Sequence, residues 1–282
     1  MKQAAALTGV LETTLRVWER RYGVVTPTRS PGGYRLYSDA DVARLRSMAA
    51  LVGDGVPASV AARSVLDQPD AAPTPGEGLA GLDLVAAAAS LDPAQLDRVL
   101  TEALDRAPVE LLSDAWLLPE LARLGRAWES REVTVAHEHF ASAGVTRSLG
   151  RVFTEAPTGT LGPVLVGLPE KSHHDLGLLA FATCLRRQGV DVAYLGADVP
   201  VADWEAAAAR HHPRAAVVGV PQVTRVERAQ EVVDRLNGLT PPVSVFVGGG
   251  LAGRIRRAEP LPDAVAEAAT QVATALRAGR TP

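Results

Sequence analysis

Val164-Leu165-Val166-Gly167-Leu168-Pro169-Glu170-Lys171-Ser172-His173-His174-Asp175-Leu176-Gly177 is the stretch on which the class of the C-terminal half turns. A short apolar run gives way to a polar loop and then to helical spacing, which is the pattern of a buried strand feeding a helix. The first strand is expected over Gly162–Leu168, and Val190–Leu195, Ala215–Val220 and Val243–Val247 read as three more, each followed by a helical stretch. Continuous rather than alternating apolar runs mean strands covered on both faces, as in parallel sheets. Residues 158–282 are therefore expected to form a doubly wound α/β domain. Ligands in such sheets bind beyond the carboxyl ends of the strands. His173, His174 and Gly177 fall on that edge after the first strand, and Gly248-Gly249-Gly250 fall on it after the fourth. The glycine run does not complete the dinucleotide fingerprint, which belongs at the first turn. No hydrolytic or redox constellation is present, so the chain does not read as an enzyme.

Upstream, over 82–157, Leu96, Val99, Leu100 and Leu104 recur at helical spacing with little β-branched alternation, which predicts a four-helix bundle. Arg131–Val133 interrupts the period and Thr134 suits a helix N-cap, so Trp128 and Glu138 are expected on facing helices, directed into one cavity. Residues 68–81, rich in Pro, Gly and Asp, read as a linker. Before it, Lys2–Leu7 and Glu12–Arg21 read as two helices around Thr8-Gly9-Val10, which is helix-turn-helix spacing. Residues 1–67 carry nine basic and six acidic side chains on a chain whose net charge is −3, the asymmetry a polyanion-binding head needs. No apolar run reaches the ~20 residues of a membrane span and no signal layout opens the chain, so a cytoplasmic protein is expected. Cys184 is the only cysteine, which excludes an intrachain disulfide and a cysteine-built metal site.

The N-terminal segment, with Gly32-Gly33-Tyr34-Arg35-Leu36-Tyr37 as its wing, resembles the MerR-type winged helix over 1–67. The resemblance implies double-stranded operator DNA as partner. The second helix would enter the major groove, with Thr13, Thr14 and Arg16 near base edges or phosphates, while Arg20, Arg21, Tyr22, Arg29, Arg35 and Tyr37 clamp the backbone. Trp18 and Leu36 read as core residues. Leu11 stands where that family has a Ser or Thr cap.

Trp128, followed by nine residues and then Glu138-His139, with Ser142 three further on, resembles the signature of the CarH and LitR type of light-responsive regulator. In that family the bundle caps the upper face of adenosylcobalamin. By this resemblance Trp128 shields the adenosyl group, Glu138 accepts hydrogen bonds from it, Ser142 completes the motif, and His139 stands near cobalt as an upper ligand after light. His174 and Gly177 resemble the His-x-x-Gly element of the cobalamin domain, whose histidine is the lower cobalt ligand. Gly177, Gly248 and Gly249 would line the slot for the nucleotide tail. Two positions depart from the pattern: Ser172 stands where an acidic residue is usual, and the third strand, Val218-Gly219-Val220-Pro221-Gln222, lacks a serine.

The implied architecture is multidomain: a winged helix-turn-helix, a helical bundle and a Rossmann-like cobalamin-binding domain. The implied function is a repressor that binds DNA in the dark and releases it on photolysis, at least dimeric and tetrameric in the dark. Three alternatives stay open: a corrinoid carrier for methyl transfer, a sensor of another tetrapyrrole, and a MerR-like regulator that has lost its cofactor.

Overall fold

Leu15 and Trp18, three residues apart on one helix, anchor the N-terminal core. They lie on α1 (Glu12–Tyr22), are buried, and pack with Val24, Val25, Leu45, Met48, Ala61, Ala62 and Val65. Trp18 is thus a core residue. Gly23 takes φ +64 and its N–H reaches the Glu19 carbonyl, which closes α1 with the left-handed residue that glycine adopts without penalty. Strands β1 (Thr28–Arg29) and β2 (Arg35–Leu36) pair antiparallel, Thr28 opposite Leu36, and α2 (Ala58–Leu66) completes the described part of this unit. The computed structural model describes residues 10, 12–25, 28–29, 35–36, 41, 44–45, 48–49, 51–52, 56–66, 77–220 and 225–279. The expected first helix, Leu11, Gly32–Tyr34, Tyr37, Pro221 and Gln222 lie outside the described residues, as do the side chains of Arg29, Arg35 and Leu36. The chain divides into two compact units, 1–74 and 75–282.

The second unit begins with a helical bundle. Asp83 accepts from the Ala86 N–H to start α3 (Leu84–Ser90), and Asp92 with Pro93 starts α4 (Pro93–Arg106), both favoured first-turn chemistry. Next comes one continuous rod, α5 (Val109–Leu112), a π turn (Ser113–Leu117) and α6 (Leu118–Glu129). Arg131, at φ +63, breaks the path, and α7 (Val135–Glu155) starts after Thr134, whose N–H donates to His137 Nδ1 at 3.0 Å.

The α/β layer follows as β3 (Leu161–Pro169), α8 (Leu176–Arg187), β4 (Val190–Val199), α9 (Val201–His211), β5 (Ala215–Gly219), α10 (Val226–Asn237), β6 (Ser244–Gly248), β7 (Glu259–Pro260) and α11 (Val265–Arg277). All five strands are parallel in the order β4-β3-β5-β6-β7, so the chain reverses its winding between β3 and β5. That switch point is where open α/β sheets form a ligand crevice. Helices α8 and α11 share one core with the bundle, whereas α9 and α10 cover the other face.

The strands depart from expectation in two places. β4 continues past Leu195 to Val199, because register shifts against β3 and positive φ at Gly196 and Asp198 bend the strand without ending it. β7 has two residues, too few to carry a pattern, and was not expected.

The π turn joins the layers. Both oxygens of Asp114 accept from the first N–H groups of α11, Val265 at 2.7 Å and Ala266 at 3.0 Å. One bundle carboxylate therefore caps a helix of the α/β layer. The indole N–H of Trp116 donates to the Leu82 carbonyl at 3.0 Å and fixes the rod against the entry to the bundle.

Candidate functional site

A cavity of about 180 Å³ opens at the switch point. The strand ends supply one wall, through Leu168, Gly219, Val220, Gly248 and Gly249, and α8 supplies another, through Gly177, Leu178 and Phe181. Leu261, Val265 and Ala268 close it from the α11 side, and Leu118 reaches it from the bundle. His174 stands in its lining and His173 does not, although both side chains are exposed. Of the two candidate ligands, only His174 borders the cavity.

The glycines keep this space open. A Cβ on Gly249, already at φ +98, would lie 2.9 Å from the Val220 carbonyl oxygen. On Gly219 it would lie 2.5 Å from Leu168 Cδ2. A Cβ on Gly177 or Gly248 would make ordinary contacts with Leu118 or Leu261, so a side chain there would fill the cavity instead of breaking the wall. The cradle is narrow and mainly apolar, with His174 and Asp263 as the ionisable side chains in its lining.

The loop between β3 and α8 is tied to β4 at both ends. Lys171 N–H donates to Asp198 Oδ1 at 2.6 Å, Asp198 N–H donates to the Ser172 carbonyl at 3.0 Å, and Tyr194 Oη donates to Asp175 Oδ2 at 3.2 Å. Ser172 is 2% exposed and its hydroxyl has no hydrogen-bond partner among the described residues, an uncommon cost for a buried polar group. Burial, reinforced by the Asp175 carboxylate, pushes the Tyr194 phenol well above its ordinary range, so it stays a donor.

The bundle residues of the Trp-Glu-His signature lie elsewhere on the unit. Trp128, in the last turn of α6, is 47% exposed, and Glu138 and His139 occupy the first turns of α7. None of the three lines the strand-end cavity, and Trp128 and Glu138 stand on successive helices of the bundle. Glu138 gathers its neighbours: Oε2 meets His139 Nδ1 at 2.6 Å and Oε1 accepts from Ser142 Oγ at 2.8 Å. A carboxylate can only accept, so Nδ1 carries the proton, and a neutral His139 presents Nε2 as its lone pair. Its side chain is 74% exposed.

On α1 of the first unit, Thr13, Arg16 and Arg20 are exposed on the face opposite Leu15 and Trp18. Thr14 and Tyr22 are half-buried, and the Arg21 guanidinium lies 5.6 Å above the Tyr22 ring. The helix therefore presents hydroxyl and guanidinium groups together, the chemistry that meets phosphates and base edges.

Residues 1–67 match the MerR HTH family of regulatory proteins, and residues 83–152 and 162–277 match two B12 binding domain families. The HTH-type transcriptional repressor CarH of Myxococcus xanthus is 36% identical over 264 residues, spanning 88% of each chain. The chain belongs to the CarH/CarA family of HTH-type transcriptional repressors. CarA of the same organism is 32% identical over 252 residues, 88% of this chain and 85% of that one. The Methanosarcina barkeri monomethylamine corrinoid protein shares the fold, with a TM-score of 0.56, 21% identity, and coverage of 71% of this chain and 99% of that one.

As a member of this family the protein is a DNA-binding transcription regulator that carries B12-binding domains. Its strand edge also holds residues that the sequence reading did not single out. Gly219 ends the third strand and lines the cavity, a place the strand-edge rule points to without a motif. Leu118, Asp114 and Tyr194 take their roles from contacts across the fold and carry no local signal.

Proposed function

We propose that the chain is a light-responsive repressor that binds its operator in the dark with adenosylcobalamin bound and releases it after illumination. The observation that carries this reading is the cavity at the switch point, bordered by His174 and kept open by Gly177, Gly219, Gly248 and Gly249. His174 would hold the metal from below, the glycines would hold the nucleotide tail, and Trp128 and Glu138 would hold the adenosyl group. When bound, the cofactor supplies a cobalt–carbon bond that light breaks.

The protein's own part is positional. Trp128 offers an exposed indole face to an apolar group above it. Glu138, held by Ser142, orients His139 so that Nε2 is the ring atom available to the upper face. The bundle meets the α/β layer through Asp114 and the N-terminus of α11, so a change on the upper face reaches the layer through a defined joint. A ligand shifts such an equilibrium only by its difference in affinity for the two arrangements, so the adenosyl group must bind the DNA-competent one more tightly. Palindromic operators require at least a dimer, and we include a dark tetramer in the proposal. Acting on an operator, the protein works in the cytoplasm. The helix-turn-helix at the N-terminus distinguishes this reading from that of a methyl-transfer carrier.

The reading is tested by mixing the purified chain with adenosylcobalamin in the dark and recording its visible spectrum. A histidine-ligated, base-off spectrum that is lost in His174→Ala is expected. An unchanged spectrum in that variant would remove His174 as ligand, and loss in His173→Ala instead would move the assignment by one residue.

A further inference from the structure

Asp175 occupies the N-cap of α8 and yet does not cap it. Its carbonyl receives the Leu179 N–H, but its backbone is α-like, φ −99 and ψ −1, where Asp83 and Asp92 are extended at their caps, and its side chain makes no capping hydrogen bond. An aspartate at an N-cap ordinarily accepts from the second or third N–H of its own helix. Here Oδ2 turns instead to Tyr194 on β4, the edge strand of the sheet, and accepts its phenol proton at 3.2 Å. The ring carrying that phenol lies 6.1 Å from the ring of Phe153, tilted by 51°, and the Arg186 guanidinium covers the far partner at 4.7 Å from the Phe153 centroid. Phe153 lies toward the end of α7, the same helix whose beginning carries Glu138 and His139. Tyr194 therefore stands between the far end of the upper-face helix and the residue next to His174.

We propose that Tyr194, acting through Asp175, is a positioning residue that sets the His174 loop in the orientation needed for ligation and links that loop to α7. The inference rests on His174 being the lower ligand. His174 lies between two ties to one strand, Asp198 to Ser172 and Lys171 on one side and Tyr194 to Asp175 on the other. Remove the phenol hydroxyl and the first tie remains, while Asp175 loses its partner on β4. Positioning is separated from simple support of the fold by reading cofactor binding beside the melting of the cofactor-free protein.

The experiment compares wild type, Tyr194→Phe, Asp175→Asn and the double variant. Adenosylcobalamin is titrated in the dark and followed by visible absorption, and melting of the cofactor-free protein is recorded alongside. Phenylalanine keeps the ring against Phe153 and removes only the donor. The expected result is cofactor binding weaker by about five- to tenfold, the scale of one hydrogen bond, with a smaller histidine-ligated fraction and an unchanged melting temperature without cofactor. The double variant should lose no more than Tyr194→Phe alone, because the two residues act as one unit. Wild-type binding in Tyr194→Phe would overturn the proposal, as would a weakened complex accompanied by an equally lowered melting temperature of the free protein. His174→Ala run in the same series separates the two readings. Should it leave the spectrum unchanged, the ligand assignment itself fails. Should it abolish ligation while Tyr194→Phe behaves as wild type, only the positioning role falls.

Discussion

The cavity edge and the bundle signature differ in how much of their shape exists without a ligand. At the strand ends the walls are backbone and apolar side chains, their spacing is fixed by glycines at Gly219 and Gly249, and the loop holding His174 is tied to β4 at two points. On the bundle, Trp128 is half exposed, and Glu138, His139 and Ser142 are organised around one another within two turns of one helix. The first region is a preformed receptacle. The second is a set of oriented groups awaiting a surface to act on. Binding strength should therefore reside in the first and discrimination of the upper group in the second.

Damage to the receptacle should cost the most. Gly249→Ala places a Cβ 2.9 Å from the Val220 carbonyl oxygen at a φ of +98, so the free protein should lose about 1–3 kcal/mol in denaturant unfolding and bind adenosylcobalamin poorly. Wild-type stability would mean that the wall yields and is not preformed. The joint between the regions comes next. Asp114→Ala leaves the first two N–H groups of α11 without their carboxylate, and a loss of about 1–2 kcal/mol is expected, measured in the same way. Asp114→Asn should retain part of this through its remaining oxygen.

A smaller change is expected at the bundle signature. Trp128→Ala removes a residue that is 47% exposed, so unfolding of the free protein should change by about 1 kcal/mol or less. Its cost should appear only with cofactor present, as a weaker difference between dark and illuminated samples in size-exclusion chromatography. A large loss of stability in the free protein would make Trp128 a core residue and weaken the contrast between the regions.

The seam between bundle and α/β layer supplies the smallest effect. Cys184 lies there on α8, and burial, aided by the neighbouring Glu110 carboxylate, pushes its thiol up to about 12 from 9.0. A thiol pKa raised in the folded state gives a stability contribution that is complete below pH 9 and is lost as the pH climbs toward about 12. At pH 8 the folded protein should resist thiol-alkylating reagents in the dark and after light alike, as judged by intact mass. Labelling on illumination would mean that the bundle opens the seam instead of turning about the Asp114 joint.

What the sequence made legible follows from the range of the interactions involved. The run Val164–Leu168 and its loop could be read because a buried parallel strand is written as consecutive apolar residues and its loop must lie at the ligand edge. The end of β4 could not, since Gly196 looks like a stop and only pairing with β3 shows the strand continuing. The π turn at Ser113–Leu117 keeps the apolar spacing of an ordinary helix, so nothing local marks it. Asp114 and the α11 N-terminus are 151 residues apart, and a cap supplied from that distance has no signature. The spacing of Trp128, Glu138 and His139 resembles a family motif, but which residues line the strand-end cavity is a property of the fold. Tyr194 and Asp175 belong to the same class, joined by tertiary structure alone.

The central claim, that a ligand held at the strand ends and read by the bundle controls the DNA-binding head, is met most directly by an electrophoretic mobility shift assay. The full chain carrying adenosylcobalamin is titrated onto operator DNA in the dark and again after illumination, with cofactor-free protein alongside. The account predicts tight dark binding that falls at least tenfold after light, with the cofactor-free protein as weak as the illuminated sample. Equal affinity in all three would contradict it.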